Sequence, residues 1–349
     1  MRNSIILKKI ISYISITLLT FNLFFMTTSF GFAGNQEVRY FSILLLLANV
    51  FVISKLRLTY KDLIITIFLV IYAILFKQSV AGNILILYYT SIGLKDIDLR
   101  DFKDFLILLL LSINTLWGIA YLVIGFKDVI VISMGRVRHY LGFYNINQSA
   151  LFYFPLFLLL LNRFKSIYLK IAVVIISLWI YNLTDTRSSF YALFIYLLLE
   201  FIPISRNRIV RRMLIVLIFL ISLLFIFSRQ IMTVFPILDE FLSFRLSIVA
   251  SGISHMSVLQ FVFGQNEILL DNSFIMFVSA LGIIALIYLF ILINQIVDYI
   301  SDGDFNLIYA FLCYGLLEST LFLPEAIVAI LFFTILEQGY MNMRSNLDA

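Results

Sequence analysis

Apolar residues fill this chain in twelve runs, at about 10–33, 38–54, 62–76, 79–94, 105–126, 148–161, 167–183, 188–204, 213–228, 273–293, 305–320 and 325–340, with short polar segments between them. The runs are too long and continuous for barrel strands. A hydrocarbon core of about 30 Å asks for roughly 20 residues of helix, and only helices or closed barrels satisfy their backbone there. The pattern therefore predicts an all-α polytopic membrane protein with about twelve transmembrane helices in a single domain over residues 1–349. Its longest non-spanning piece is 229–272, a loop between the ninth and tenth helices, followed by 127–147. Loops of that length in a compact chain usually carry function.

Composition agrees with the pattern. Apolar residues make up 62% of the chain and charged residues 13%, with a mean hydropathy of +1.06, which excludes a water-soluble globule. Collagen-like and disordered readings fail on four prolines, fourteen glycines, 36 Phe and 19 Tyr. The single cysteine, Cys313, lies inside an apolar run, so neither a disulfide framework nor a paired-thiolate metal site can form. A formal charge of +5 and a pI near 9.1 do not point to nucleic acid, because the bases fall in short clusters between the runs.

Those clusters give the direction of the chain. With the N-terminus inside, seventeen of the 25 Lys and Arg face the cytoplasm, and each of the first five cytoplasmic segments carries at least three. The first run ends near Gly31-Phe32-Ala33-Gly34, similar to a secretory cleavage site, but loop parity favours a retained helix. One loop fits less well. Residues 294–304 carry Asp298, Asp302 and Asp304 with no base, and a further span at Phe244–Phe263 would turn them outward. Arg245, His255 and several serines are costly at mid-bilayer, so a lateral or re-entrant segment is expected there instead.

The outer face is unusual in holding Arg136, Arg138, Arg187, Arg229 and Arg245 with little lysine. Arginine's planar fork binds phosphate oxygens in pairs, which points to an anionic, phosphate-bearing ligand. The alternative is that each arginine snorkels to headgroups or pairs with Asp128, Asp185, Asp239 or Glu240. Three segments gather the candidate chemistry. In Thr184-Asp185-Thr186-Arg187-Ser188-Ser189, a polar hairpin between two apolar runs, the serines can offer N–H groups at a helix start beside Arg187 as a pyrophosphate cradle; a plain turn with Asp185 and Arg187 paired is the competing reading. In residues 135–148, Arg136, Arg138, His139, two tyrosines and Asn145 and Asn147 suit a sugar, with Asn147 a candidate cap for the following span. In the long loop, His255, Asp239, Glu240 and Asp271 are candidate bases, His139 is another, and Asp271 with Ser273 would also serve as a helix cap. Two Asp-x-Asp triplets, Asp96–Asp98 and Asp302–Asp304, sit on cytoplasmic loops too short to enclose a nucleotide, where solvated acids are the simpler reading. No Walker lysine, His-Glu-x-x-His or dinucleotide glycine pattern is present, so no ATP, zinc or dinucleotide chemistry is indicated.

Gly142-Phe143-Tyr144-Asn145-Ile146-Asn147-Gln148, Thr184-Asp185-Thr186-Arg187-Ser188 and Arg245 followed by Phe263-Gly264 and Asp271-Asn272-Ser273-Phe274 resemble, in order, motifs of the Wzy-type polysaccharide repeat-unit polymerases and more distantly the O-antigen ligases. The resemblance spans about residues 135–285. It implies a GT-C-like fold and a metal-independent glycosyltransferase without cofactor, acting at the outer face of the bacterial cytoplasmic membrane on undecaprenyl-pyrophosphate-linked glycan. A chain-length regulator and a flippase are the partners it implies, and nucleic acid is not. Arg136, Arg138, Arg187 and Arg245 would hold pyrophosphate, Asn145, Asn147 and Asn272 sugar, and His255 and Asp271 would do the acid–base work. Thr186, Phe274 and the single glycine of Gly264-Gln265-Asn266 depart from the family pattern. The main rival is a lipid-linked oligosaccharide flippase, which has a similar number of helices but carries charges inside its spans. A membrane acyltransferase is a third reading, with only His139 and His255 to serve it.

Overall fold

A computed structural model describes residues 2–29, 36–50, 60–124, 128–133, 136–242, 244–264, 268 and 270–347. The chain is mainly helical. In order it forms α1 (Arg2–Thr27), α2 (Gln36–Ala48), α3 (Tyr60–Leu75), α4 (Ser79–Leu94), α5 (Leu99–Ile124), β1 (Ile130–Ser133), β2 (Arg136–His139), α6 (Ile146–Arg163), α7 (Ile167–Thr184) and α8 (Arg187–Phe201). There follow α9 (Arg208–Leu224), α10 (Ser228–Val234), α11 (Pro236–Phe241), α12 (Arg245–Ile253), α13 (Val258–Phe263), α14 (Ser273–Leu281), α15 (Ile283–Ile296), α16 (Asp302–Gly315) and α17 (Ile327–Leu347). Each of the twelve apolar runs contains helix. Among the described residues, four helical stretches are long and apolar enough to cross a membrane: Ile6–Thr27, Leu99–Val123, Ile167–Thr184 and Arg208–Val234.

Two details depart from the all-helical expectation. Residues 130–139 pair as a short antiparallel hairpin with Ile130 opposite His139 and Ser133 opposite Arg136. Its β-branched Ile130-Val131-Ile132 run favours extended backbone once it lies outside the apolar helices. The tenth run is two helices, broken at Gly282 (φ +88°). A Cβ on Gly282 would fall 2.2 Å from the Val262 carbonyl oxygen, and one on Gly264 would fall 2.3 Å from that of Ala280. The two glycines thus let backbone pass against backbone, which no side chain would permit.

The chain divides into two compact units. One comprises 1–56, 89–197 and 325–334, the other 57–88, 198–324 and 335–349. The first unit is built around α6, which is buried on nearly every side, as a helix apolar all round must be. Phe24 packs edge-on and Phe143 face-on against Phe152 of this helix, and the Trp117 indole N–H donates to the Leu141 carbonyl at 2.8 Å. The second unit is built around α14 and α16. All nine residues of α14 are buried, and Phe274 and Phe277 stack on Phe290 and Phe322.

Within each unit, the ion pairs described here join charges assigned to the same face. Lys8–Asp96, Lys9–Asp101, Arg163–Asp104, Arg211–Asp302 and Arg212–Asp298 link residues assigned to the inside. Arg39–Glu325, Arg138–Asp185, Arg245–Asp271 and Arg245–Glu318 link residues assigned to the outside. The acidic 294–304 loop therefore finds its bases on α9. No helix spans Phe244–Phe263: α12 has nine residues and α13 six, about 13 and 9 Å long, well short of a bilayer.

The Asp-x-Asp triplets are not free loop acids. Asp98 accepts the Arg100 N–H at 2.7 Å at the start of α5, and Asp304 accepts the Ser301 hydroxyl at 2.6 Å, while Asp96 and Asp302 are in the ion pairs above. The cleavage-like Gly31–Gly34 lies outside the described residues.

Candidate functional site

Two of the three sequence segments meet in the first unit. Asp185 ends α7 in the left-handed conformation (φ +48°), with its N–H on the Tyr181 carbonyl at 2.7 Å. Arg138 on β2 donates to the Asp185 carbonyl at 3.0 Å, and its Nε lies 3.9 Å from the carboxylate. Arg187 opens α8 with its Nε 3.7 Å from the other carboxylate oxygen. Two guanidinium groups thus flank one carboxylate. Both arginine side chains are 25% exposed.

Behind them a nest of hydroxyls fixes the turn. Tyr153 on α6 contacts Thr186, and also Ser189 at 3.3 Å and Thr184 at 3.5 Å, while Ser189 donates to the Thr186 carbonyl at 2.9 Å. Thr184, Thr186, Ser188 and Ser189 are buried, so Asp185 and Arg187 are the partly exposed residues of the turn. The paired reading of Asp185 and Arg187 therefore describes the geometry. Ser189 turns its hydroxyl inward, toward a small pocket lined by Tyr153, Phe157, Tyr181 and Phe190.

The 135–148 segment is stitched to the end of α1: Ser29 donates through its N–H (2.8 Å) and hydroxyl (2.9 Å) to the Gly142 carbonyl, and Tyr144 donates to the Thr27 carbonyl (2.9 Å). His139 Nδ1 contacts Asp128, whose other oxygen accepts the Leu141 N–H at 2.9 Å. The helix cap is Asn145 and not Asn147, since the Asn145 side chain accepts the Asn147 N–H at 3.0 Å and Gln148 closes a capping box. The cause is register: the helix begins at Ile146, two residues earlier than the apolar run suggests. Asn145 is exposed and Asn147 half-buried. The Arg136 side chain lies outside what the structure describes, as do Gln265 and Asn266.

The third segment builds a cluster in the second unit. Arg245 begins α12 and is buried; it donates to Glu318 at 2.7 Å, lies 3.2 Å from the Asp271 carboxylate and reaches the Asp271 carbonyl at 3.3 Å. One arginine here faces two acids. Asn272, expected at a sugar, has no exposed surface: its oxygen accepts the Phe274 and Ile275 N–H groups at 3.0 Å, and its amide donates to the Leu316 carbonyl at 2.7 Å. The cap of this helix is thus Asn272, not Asp271 with Ser273. Ser273 instead donates to the Glu318 carbonyl at 2.5 Å.

Of the candidate bases, Asp239 is buried and accepts from both the N–H and hydroxyl of Ser247, so it closes the first turn of α12. His255 is exposed between α12 and α13, a helix length of about 13 Å from Arg245. Asp271 is partly exposed and tied to Arg245. Sequence reasoning missed Glu318. The signal was present as an isolated carboxylate inside an apolar run, which in a membrane protein calls for a named partner.

No protein-family model, curated protein or solved structure matches this chain.

Proposed function

We propose that the protein polymerises undecaprenyl-pyrophosphate-linked oligosaccharide units at the outer face of a bacterial cytoplasmic membrane, as a twelve-span, metal-independent glycosyltransferase like the Wzy-type polymerases. The observation that carries the reading is the Arg138–Asp185–Arg187 cluster, which holds two guanidinium groups side by side at one turn, each side chain a quarter exposed. A sugar pyrophosphate is already activated. The acceptor hydroxyl oxygen attacks the anomeric carbon, the bond from that carbon to pyrophosphate breaks, and the electron pair leaves with the pyrophosphate. The hydroxyl proton goes to a base, for which His255 and Asp271 are the outer-face candidates. Catalysis then consists of alignment and of stabilising charge on the leaving group.

Arg138 and Arg187 are the residues suited to that charge. Arg245, held between two carboxylates, is better suited to fixing the long loop than to receiving an anion. The break at Gly282 favours a second reading, a flippase, since transporters build sites at discontinuous helices.

Deleting the gene and profiling lipid-linked glycan separates the two. A single repeat unit on the outer leaflet marks a polymerase, and units held on the inner leaflet mark a flippase. Arg187→Ala and Arg138→Ala should each lower polymer formation about 10²–10³-fold, the usual cost of losing one charge-stabilising donor, at normal protein level. An unchanged chain-length distribution overturns the reading.

A further inference from the structure

The segment following α10 carries an exposed apolar face. Ile237 is 80% exposed, Val258 80% and Leu259 71%, with Phe235 and Phe241 also exposed, while Asp239 and Arg245 are buried. Large apolar side chains gathered on one exposed face mark a surface that meets something other than water. The same apolar face continues from α9, where Leu220, Leu224 and Phe227 are exposed along the stretch Arg208–Val234.

Three contacts set its depth. Counted from Arg212, the last base of the inner cluster, about 20 helical residues fill the hydrocarbon core, which puts residues 225–227 within it. The helix α12 packs against residues 225–227 and against α10. At its far end, Gly264 meets the Ala280 carbonyl and Gly282 meets that of Val262, about 10–13 Å along the helical run from Ser273. The carbonyl of Phe263, the last residue of α13, accepts the hydroxyl of Tyr72 on α3 at 2.7 Å. A helix end in hydrocarbon needs such a partner, whereas one in water does not. Beside α14, the Ile268 N–H lies on the Ser279 hydroxyl at 3.3 Å, and Asn272 caps the helix start.

We propose that α12 and α13 form a re-entrant hairpin inserted into the outer leaflet, whose exposed face, centred on Val258 and Leu259, contacts the hydrocarbon of the bilayer. The occupant of that face is lipid, not water and not a protein partner. This shields α14 from the membrane, which accounts for the burial of all nine of its residues. It also seats the Arg245–Glu318 pair at the mouth of the hairpin. The inference rests on the membrane crossing of Arg208–Val234 and is independent of the polymerase reading.

The test uses the full chain carrying Cys313→Ser, with Leu259→Cys or Val258→Cys, and Lys77→Cys as an exposed comparison site. Because only the thiolate reacts and hydrocarbon suppresses it, a water-soluble maleimide should label positions 258 and 259 at least about ten-fold more slowly than position 77, in both intact and permeabilised cells. A bimane at 259 in liposomes should be quenched by phospholipid brominated on its acyl chains. Labelling equal to that at Lys77→Cys, or no quenching, overturns the proposal. Adding Tyr72→Phe to Leu259→Cys should speed labelling several-fold, by leaving the Phe263 carbonyl unpaired. Unchanged labelling would overturn the anchoring by Tyr72.

Discussion

The two arginine clusters solve opposite problems. Around Asp185, two arginines share one acid, and a quarter of each guanidinium-bearing side chain meets the surroundings. Around Arg245, two acids share one arginine, and the Arg245 and Glu318 side chains are 9% and 7% exposed. The first arrangement sets two guanidinium groups at a partly exposed turn. The second holds its charges inside the protein, where desolvation makes any unpaired member costly. The same residue types thus sit in different surroundings, and burial separates them.

Removing one acid from each cluster is the sharpest way to break that contrast. Glu318→Ala should destabilise by about 3–5 kcal/mol, because it strands a buried guanidinium; a large fall in melting temperature in detergent would register it. Asp185→Asn should change stability by at most about 1 kcal/mol, since the pair is loose and half-exposed and Asn tolerates the left-handed backbone. Equal shifts for the two variants would erase the distinction between them.

The helix caps repeat the comparison on a smaller scale. Asn272→Ala removes a cap and a buried bond to Leu316, for about 2 kcal/mol, and Asn145→Ala removes an exposed cap for about 1 kcal/mol. Thermal unfolding of both variants should rank them in that order; the reverse ranking would show that the second unit is not the more tightly buried one.

Much of the helical layout was legible in the sequence. Every apolar run holds a helix, because hydrophobic length and continuity set which segments can leave water. Pairing of Arg211 and Arg212 with Asp302 and Asp298 also agrees with the expectation that these residues share one face. The site was only half legible. Arg138 and Arg187 stand apart by nearly 50 positions, and nothing in their local pattern says that one carboxylate lies between them. Asn272 carries the residue type of a sugar ligand, yet its amide is consumed by α14 and Leu316. Asp239 has the type of a base, yet it closes α12.

Hydropathy along the chain thus determined which segments become helix. Tertiary structure decided that Arg138 and Arg187 share Asp185, that Glu318 belongs with Arg245, and that Gly264 and Gly282 bring the long loop against the broken tenth run. The physical reason is one of range. Transfer of apolar surface is additive and local, so a linear pattern encodes it, whereas the pairing of a buried charge depends on partners brought close only by the folded chain.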